Sequence, residues 1–202
     1  MAFTFFFRDI NTLEHGVQYL VNSAPAKSKI KIWDAGCASG QEPYSLAIIL
    51  AEKMGQFAFK NVTIYASDID TSDIFEEIIK NGIYQKEQLN RIPSDLLDKY
   101  FISEKQKSNY QLIEKLRQKV KYKKHNLLSL NPFEENFSLI VCKNVLLHFT
   151  ETERISVINM FYDVLEDEGI LMIEQTQKLP EEVAHLFQKV SDNSQIYQKI
   201  NN

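Results

Sequence analysis

Asp34-Ala35-Gly36-Cys37-Ala38-Ser39-Gly40 combines an acidic residue and two glycines directly after an apolar run. Glycines at 36 and 40 let the backbone come close to a ligand, and the N-terminus of the helix expected behind them carries partial positive charge that suits a carboxylate or a phosphate. The spacing is G-x-x-x-G, which is not the G-x-G-x-x-G of dinucleotide sites, and the Lys-Ser/Thr of a P-loop is missing, so pyrophosphate is disfavoured. A second segment, Ser67-Asp68-Ile69-Asp70, puts a carboxylate just past another apolar run. From there Asp68 can accept both hydroxyl hydrogens of a ribose diol. A nucleoside without phosphates satisfies both segments. Each segment also has a plainer use, the glycines in a tight turn and Asp68 or Asp70 as a helix cap. Their order, glycine loop first and acidic strand end second, favours the ligand.

These groups need strands that end beneath them. Lys29-Ile30-Lys31-Ile32-Trp33-Asp34 alternates as a strand should, and Pro43 opens an apolar helix running to Met54. Val62-Thr63-Ile64-Tyr65-Ala66 reads as a second strand, with a helix over 71–80. An earlier helix is expected over 10–23, where Leu13, Val17, Leu20 and Val21 share a face. Further on, Lys115, Arg117, Lys119, Lys121 and Lys123 fall on every second residue, which predicts a strand with one basic face. Phe137-Ser138-Leu139-Ile140-Val141-Cys142 and Ile170-Leu171-Met172-Ile173 read as buried strands, with a helix over 152–165 between them that Gly169 ends. A helix over 180–190 and a closing strand over 196–200 complete the pattern. Strands alternating with helices predict an α/β fold with a mostly parallel, doubly wound sheet, in which ligands sit beyond the carboxyl ends of the strands.

The chain has 202 residues, of which 44% are hydrophobic, and no linker-like stretch divides it, so a single domain over 1–202 is expected. The net charge of −4 gives no general field for nucleic acid, and none is expected as a partner. Cys37 and Cys142 form no metal-type pair and read as reduced, buried small residues, which points to a cytoplasmic protein. No basic leader precedes a long apolar run, and no stretch reaches the roughly 18 residues of a membrane span, so no membrane insertion is expected. His15, His125 and His185 have no ligand spacing and are expected at the surface or as caps; no metal is implied.

Ala35-Gly36-Cys37-Ala38-Ser39-Gly40-Gln41-Glu42-Pro43-Tyr44-Ser45 resembles the A-G-C-[SA]-[ST]-G-x-E-P-Y-S signature of the CheR family, the chemotaxis receptor glutamate methyltransferases. The resemblance extends through Thr4-Phe5-Phe6-Phe7-Arg8, Ala66-Ser67-Asp68-Ile69-Asp70, Gly82-Ile83-Tyr84, Tyr100-Phe101, Asn126-Leu127-Leu128 and Cys142-Lys143-Asn144-Val145. It implies a seven-stranded class I methyltransferase, Rossmann-like sheet with a small antiparallel β insertion near 100–125, to which the basic segment is matched. It further implies S-adenosylmethionine as cofactor, S-adenosylhomocysteine as product, and methyl transfer to glutamate carboxylates of a chemoreceptor or another acidic protein. Carried over by position, Thr4, Arg8, Glu42, Asp68, Asn126, Leu127, Lys143 and Asn144 line the cofactor pocket with Gly36, and Arg8 lies near the transferred methyl. Arg8, at the end of a docked aromatic lid, is expected to guide a carboxylate with its planar fork.

Four departures bear on function. Lys143 stands where the family usually has Arg, turning a two-pronged contact into a point charge. His148 replaces a Tyr beside the active site and is a candidate catalytic residue, or equally a hydrogen-bonded structural one. Glu174-Gln175-Thr176-Gln177 replaces G-H-S-E, and the chain begins at the Thr4-Phe5-Phe6-Phe7-Arg8 motif, so the family's N-terminal helical domain is expected to be absent. Two alternatives therefore stand beside receptor methylation: a methyltransferase acting on another protein or a small acid, and a non-catalytic module that binds the cofactor. The acceptor and the oligomeric state stay open at this level.

Overall fold

A computed structural model describes residues 4–23, 29–103 and 108–201. Residues 104–107, which fall in the expected β insertion, lie outside the described residues. The elements in chain order are α1 (Ile10–Ser23), β1 (Ile30–Ala35), α2 (Gln41–Phe59), β2 (Val62–Asp68), α3 (Phe75–Asn81), β3 (Ile83–Gln85), α4 (Ser94–Tyr100), β4 (Phe101–Ser103), β5 (Asn109–Leu112), α5 (Glu114–Arg117), β6 (Val120–Lys124), β7 (Phe137–Cys142), α6 (Glu151–Val164), β8 (Leu165–Ile173), α7 (Glu181–Ala184), β9 (Phe187–Lys189) and β10 (Ile196–Lys199).

Seven strands form one sheet in the order β6-β2-β1-β7-β8-β10-β9, and three form a second in the order β3-β5-β4. In the large sheet β6, β2, β1, β7 and β8 are parallel, and β10 runs antiparallel to both β8 and β9. The order reverses at β1, so the loops after β1 and β7 leave in opposite directions and open a crevice between them. All strands of the small sheet are antiparallel.

Alternation along β1 divides the core into two layers. Ile30 and Ile32 face α1 and α2 with Ile64, Val141 and Met172, while Trp33 and Ala35 face α6 with Ile140, Leu171 and Phe161. Trp33 is fully buried among Phe133, Phe137 and Phe161 at 5.0, 5.3 and 5.2 Å between ring centroids. Its indole N–H donates to Ser67 Oγ at 2.8 Å, so the polar atom that Trp33 carries into that layer is satisfied. Helix α2 is buried on every side from Gln41 to Leu50, as a central helix must be. Helix α6 starts on a reciprocal cap in which Thr150 Oγ1 accepts from the Glu153 amide and Glu153 accepts from the Thr150 amide at 2.8 Å.

Four expectations need correction. The helix expected over 71–80 starts at Phe75, because Asp70 accepts hydrogen bonds from the amides of Ile74 and Phe75 and spends 71–74 in a turn. The basic alternation does not make one strand over 115–123: residues 114–117 are the helical turn α5, and 120–124 are β6, which pairs parallel with β2 as the edge of the large sheet. Lysines on an exposed edge strand discourage pairing with other chains, which accounts for their pattern in β6; the small antiparallel insertion exists, as the β3-β5-β4 sheet, but the basic strand is not part of it. Gly169 does not end α6; it lies inside β8, where a Cβ would fall 2.9 Å from Glu166 O and 3.0 Å from Phe137 O at a register shift of the β7–β8 ladder. The helix expected over 180–190 is one turn, α7, followed by β9.

The segment before α1 crosses the carboxyl edge of the large sheet and is held there by its aromatic residues. Phe6 is fully buried, edge-on to Tyr84 at 4.9 Å and to Phe101 at 5.6 Å. The Phe7 amide donates to Ser45 Oγ at 2.9 Å, and Tyr84 Oη donates to Ser39 O at 2.9 Å. Phe6 thus links this strap to the small sheet, and the small sheet to the glycine loop. Replacing Phe6 by Ala is expected to cost about 3–5 kcal/mol of unfolding free energy in urea denaturation; a cost under about 1 kcal/mol would mean that the strap is not docked.

Candidate functional site

The strands β1, β2, β7 and β8 all end on one side, and the loops that follow them meet under the strap. Gly36 follows β1 with φ +109°, and a Cβ on it would sit 2.1 Å from Val145 Cγ2 in the loop after β7. Only glycine allows these two loops to come so close. Gly40, at φ +94°, leads into α2 in the same way. Asp68 closes β2 and braces the glycine loop: its Oδ2 accepts from the Ala38 amide at 3.0 Å and its Oδ1 from the Asp70 amide at 3.1 Å.

Two adjoining cavities open at this edge. One, of about 450 Å³, is lined by Thr4, Arg8, Gly36, Ala38, Glu42, Asp68, Lys143, Asn144, Val145, Leu147 and His148. The other, of about 280 Å³, is apolar and is bounded by Ile69, His125, Asn126, Leu127, Leu128 and Phe149. Gly36, Asp68, Val145 and His148 border both. The cavities are thus two lobes of one cleft, charged at one end and apolar at the other, with Asp68 at the junction.

The charged lobe is a network in its own right. Lys143 at the start of the loop after β7 is buried, with Nζ 3.3 Å from Glu42 Oε2 and 3.2 Å from Asp9 Oδ2. It also donates to Arg8 O at 3.4 Å. Arg8 Nη2 in turn donates to Asn144 Oδ1 at 2.9 Å. Asn144 holds φ +61°, a left-handed turn that Asn tolerates better than most residues. Burial raises the pKa of Glu42, and the neighbouring Lys143 and Arg8 pull against it. Asp34, near the end of β1, is fully buried with neither carboxylate oxygen hydrogen-bonded. Burial first, then Glu42 and Asp68, raise its pKa well above the ordinary range, and Lys143 opposes them.

The residues carried over from the resemblance, with His148, border this cleft: Thr4, Arg8, Gly36, Glu42, Asp68, Lys143, Asn144 and His148 on the charged lobe, and Asn126 and Leu127 on the apolar one. His148 is exposed at the rim rather than bonded inside the protein. His125 does not follow the surface reading: it is half-buried, edge-on to Trp33 at 5.6 Å and to Phe133 at 5.3 Å, and it walls the apolar lobe. His15 and His185 are exposed, and Cys37 and Cys142 are buried and free. The sequence reading gave no place to Asp9, Leu147 and Phe149, and it quoted Ala38, Ile69, Leu128 and Val145 in motifs without making them site residues. Membership of those motifs was the signal that could have found these four.

The family described as "CheR methyltransferase, SAM binding domain" matches residues 2–196. This chain belongs to the CheR family. Among curated proteins it is similar to chemotaxis protein methyltransferase 2 of Vibrio cholerae serotype O1, 31% identical over 182 residues, or 87% of this chain and 62% of that protein. It is also similar to the chemotaxis protein methyltransferase of Borreliella burgdorferi, 37% identical over 155 residues, or 75% of this chain and 53% of that protein. The chain therefore spans between half and two thirds of the length of these two CheR relatives. Its large sheet is the class I methyltransferase, Rossmann-like one, and the cofactor of the CheR domain is S-adenosylmethionine. Among the described residues no helix is long and apolar enough to cross a membrane.

The cleft suits that cofactor on its own chemistry. The glycine loop is a cradle that a Cβ would fill, the apolar lobe can enclose a base, and the charged lobe offers carboxylates to an ammonium and cations to a carboxylate. The buried acids also leave a mark on stability. Asp34 and Glu42 have folded pKa values above their unfolded ones, so as pH rises past about 4 the unfolded chain gives up these protons first. Their contribution to stability is therefore greatest below the ordinary carboxylate range and declines as pH rises toward the folded values. Between about pH 5 and about pH 8 the melting temperature is expected to fall less steeply in Asp34→Asn than in the parent protein; identical slopes would show that Asp34 is not perturbed by its setting.

Proposed function

We propose that this domain transfers the methyl group of S-adenosylmethionine to glutamate carboxylates of a chemoreceptor, in the cytoplasm. The observation that carries the reading is the position of Asp68, at the junction between an apolar lobe and a lobe bearing Arg8, Glu42, Lys143 and Asn144. A nucleoside joined to a zwitterionic amino acid has the same order of groups: base, ribose diol, then ammonium and carboxylate. The names of the relatives, chemotaxis protein methyltransferases, support the chemotaxis setting.

In this reading Asn126 and Leu127 flank the base, and Asp68, its backbone bonds already made, offers its remaining lone pairs to the ribose hydroxyls. Glu42 meets the ammonium and Lys143 tempers the charge that Glu42 would otherwise carry alone. Thr4 and Arg8, on the strap, cover the charged lobe. When bound, S-adenosylmethionine supplies a methyl group made electrophilic by its sulfonium sulfur. A glutamate side chain is ionised at neutral pH, so no residue has to remove a proton from it. The protein's work is to hold that carboxylate in line and to exclude water. Arg8 is suited to the first task because its fork can hold a carboxylate at two points while Asn144 fixes its orientation. His148, exposed at the rim beside Leu147, can contact the arriving acceptor.

Incubation with methyl-labelled cofactor and peptides from the methylated region of a chemoreceptor is expected to yield base-labile methyl esters on glutamate, detected by mass spectrometry. Labelling of free small acids with none on such peptides would replace the receptor as acceptor, and cofactor binding without transfer to anything would make the domain a sensor. Asp68→Ala is expected to weaken cofactor binding by about 1–3 kcal/mol. Calorimetry reads this directly, and an unchanged affinity would contradict the role given to Asp68.

A further inference from the structure

Phe5, between Thr4 and the buried Phe6, gathers two arginines on one ring. The guanidinium carbon of Arg8 lies 5.8 Å from the ring centre, and that of Arg91 lies 3.7 Å from it, in stacking contact. Arg91 comes from the segment between β3 and α4, far from the strap in sequence, and lines neither lobe of the cofactor cleft. Its backbone is held in a turn in which the Ile92 amide donates to Leu89 O at 2.9 Å, and both Leu89 and Ile92 are buried. The turn presents Arg91 outward. It is exposed, and among the described residues no carboxylate pairs with it. Two cations gathered on one ring repel each other unless an anion joins them, and here they meet on a chain whose net charge is −4. Stacking engages only the face of the Arg91 guanidinium, which leaves the N–H groups along its edge to hold a carboxylate.

We propose that Arg91 recognises the acceptor: stacked on Phe5, it takes an acidic side chain that neighbours the glutamate to be methylated, while Arg8 holds that glutamate. The inference rests on the reading of this domain as a glutamate methyltransferase. Two placements support it. Arg8, half-buried, is oriented by Asn144 at the charged lobe, and Arg91 stands exposed on the same aromatic ring, so one segment of an acidic protein reaches both cations. Thr4, next to Phe5, also borders a second cavity of about 630 Å³ that runs from Ser39 and Gln41 in the glycine loop to Ile83 and Asn109 in the small sheet. Among the described residues its walls carry no charged side chain, and Gln85 and Gln88, which lead into the Arg91 turn, are part of them. Amides beside apolar groups suit the uncharged backbone of a polypeptide, and the arginines at the strap supply the charge that the cavity lacks.

The test uses two fluorescent peptides with a central glutamate, flanked by glutamates in one and by glutamines in the other. Their affinities are read by anisotropy with S-adenosylhomocysteine present, so that no turnover is needed. The parent protein is expected to prefer the glutamate-flanked peptide by about fivefold, the size of one well-placed surface ion pair. Arg91→Met, which keeps an apolar stem on Phe5 and removes the charge, is expected to bring the two peptides within about twofold of each other, and Arg91→Glu to reverse their order. Calorimetry with S-adenosylmethionine is expected to give the parent and both variants the same cofactor affinity to within about twofold. A parent protein that binds both peptides equally, or neither, overturns the proposal, as does an Arg91→Met protein that keeps the full preference. If Arg91→Met loses cofactor affinity along with the preference, Arg91 acts on the strap and not on the acceptor, and the proposal falls. Methyl transfer to the same peptides is measured separately. A preference that Arg91→Met abolishes, in a parent protein that forms no methyl ester, would leave the acidic segment at Arg91 and remove the methyltransferase reading instead.

Discussion

The contact between Lys143 and Glu42 is the constraint on which the rest of the site depends. It ties the end of β7 to the first turn of α2, and through Asp9 Oδ2 and Arg8 O it also ties both to the strap. A lysine this deeply buried needs carboxylates around it, and a glutamate buried in α2 needs the lysine. Neither can leave without stranding the other. The glycine loop, the loop after β7 and the strap consequently arrive at one place, and the cleft between them takes its shape from that meeting.

The charge balance of the cleft also bears on its chemistry. Asp34, Glu42 and Asp68 face Lys143 and Arg8 in a small volume from which much of the water is excluded, where electrostatic effects are stronger than at the surface. A lysine at position 143 contributes a compact charge that can serve Glu42 and Asp9 together, while a guanidinium would favour a single two-pronged partner. Arg8 is the planar cation at the cleft, and its guanidinium is oriented by a hydrogen bond to Asn144 Oδ1. In the proposed reaction the acceptor arrives already ionised, which asks for a site that orients and desolvates instead of one that moves protons.

Much of this was legible in the sequence because it was carried by local signals. Alternation fixed β1, β2 and β7 to within about two residues, and the Gly36 to Gly40 loop and Asp68 pointed to the side of the sheet where the cleft lies. What could not be read were features that depend on partners far along the chain. The lysines of 115–124 alternate whether or not the first of them form a helical turn, and only pairing with β2 decides. Asp70 looks like a generic cap, but it delays α3 by several residues because its carboxylate holds two amides at once. His125 carries no local mark of burial; its place follows from Trp33 and Phe133, which are distant in sequence. Glu174 was visible only as a departure from a family pattern, and its burial is a product of the fold.

The central claim is that the two lobes joined at Asp68 form one S-adenosylmethionine site, and calorimetric titration of the protein with S-adenosylmethionine and with S-adenosylhomocysteine tests it most directly. The account predicts saturable binding of both ligands at a single shared site, each displacing the other. No heat of binding for either ligand at about millimolar concentration, the weak end of specific affinities, would contradict it.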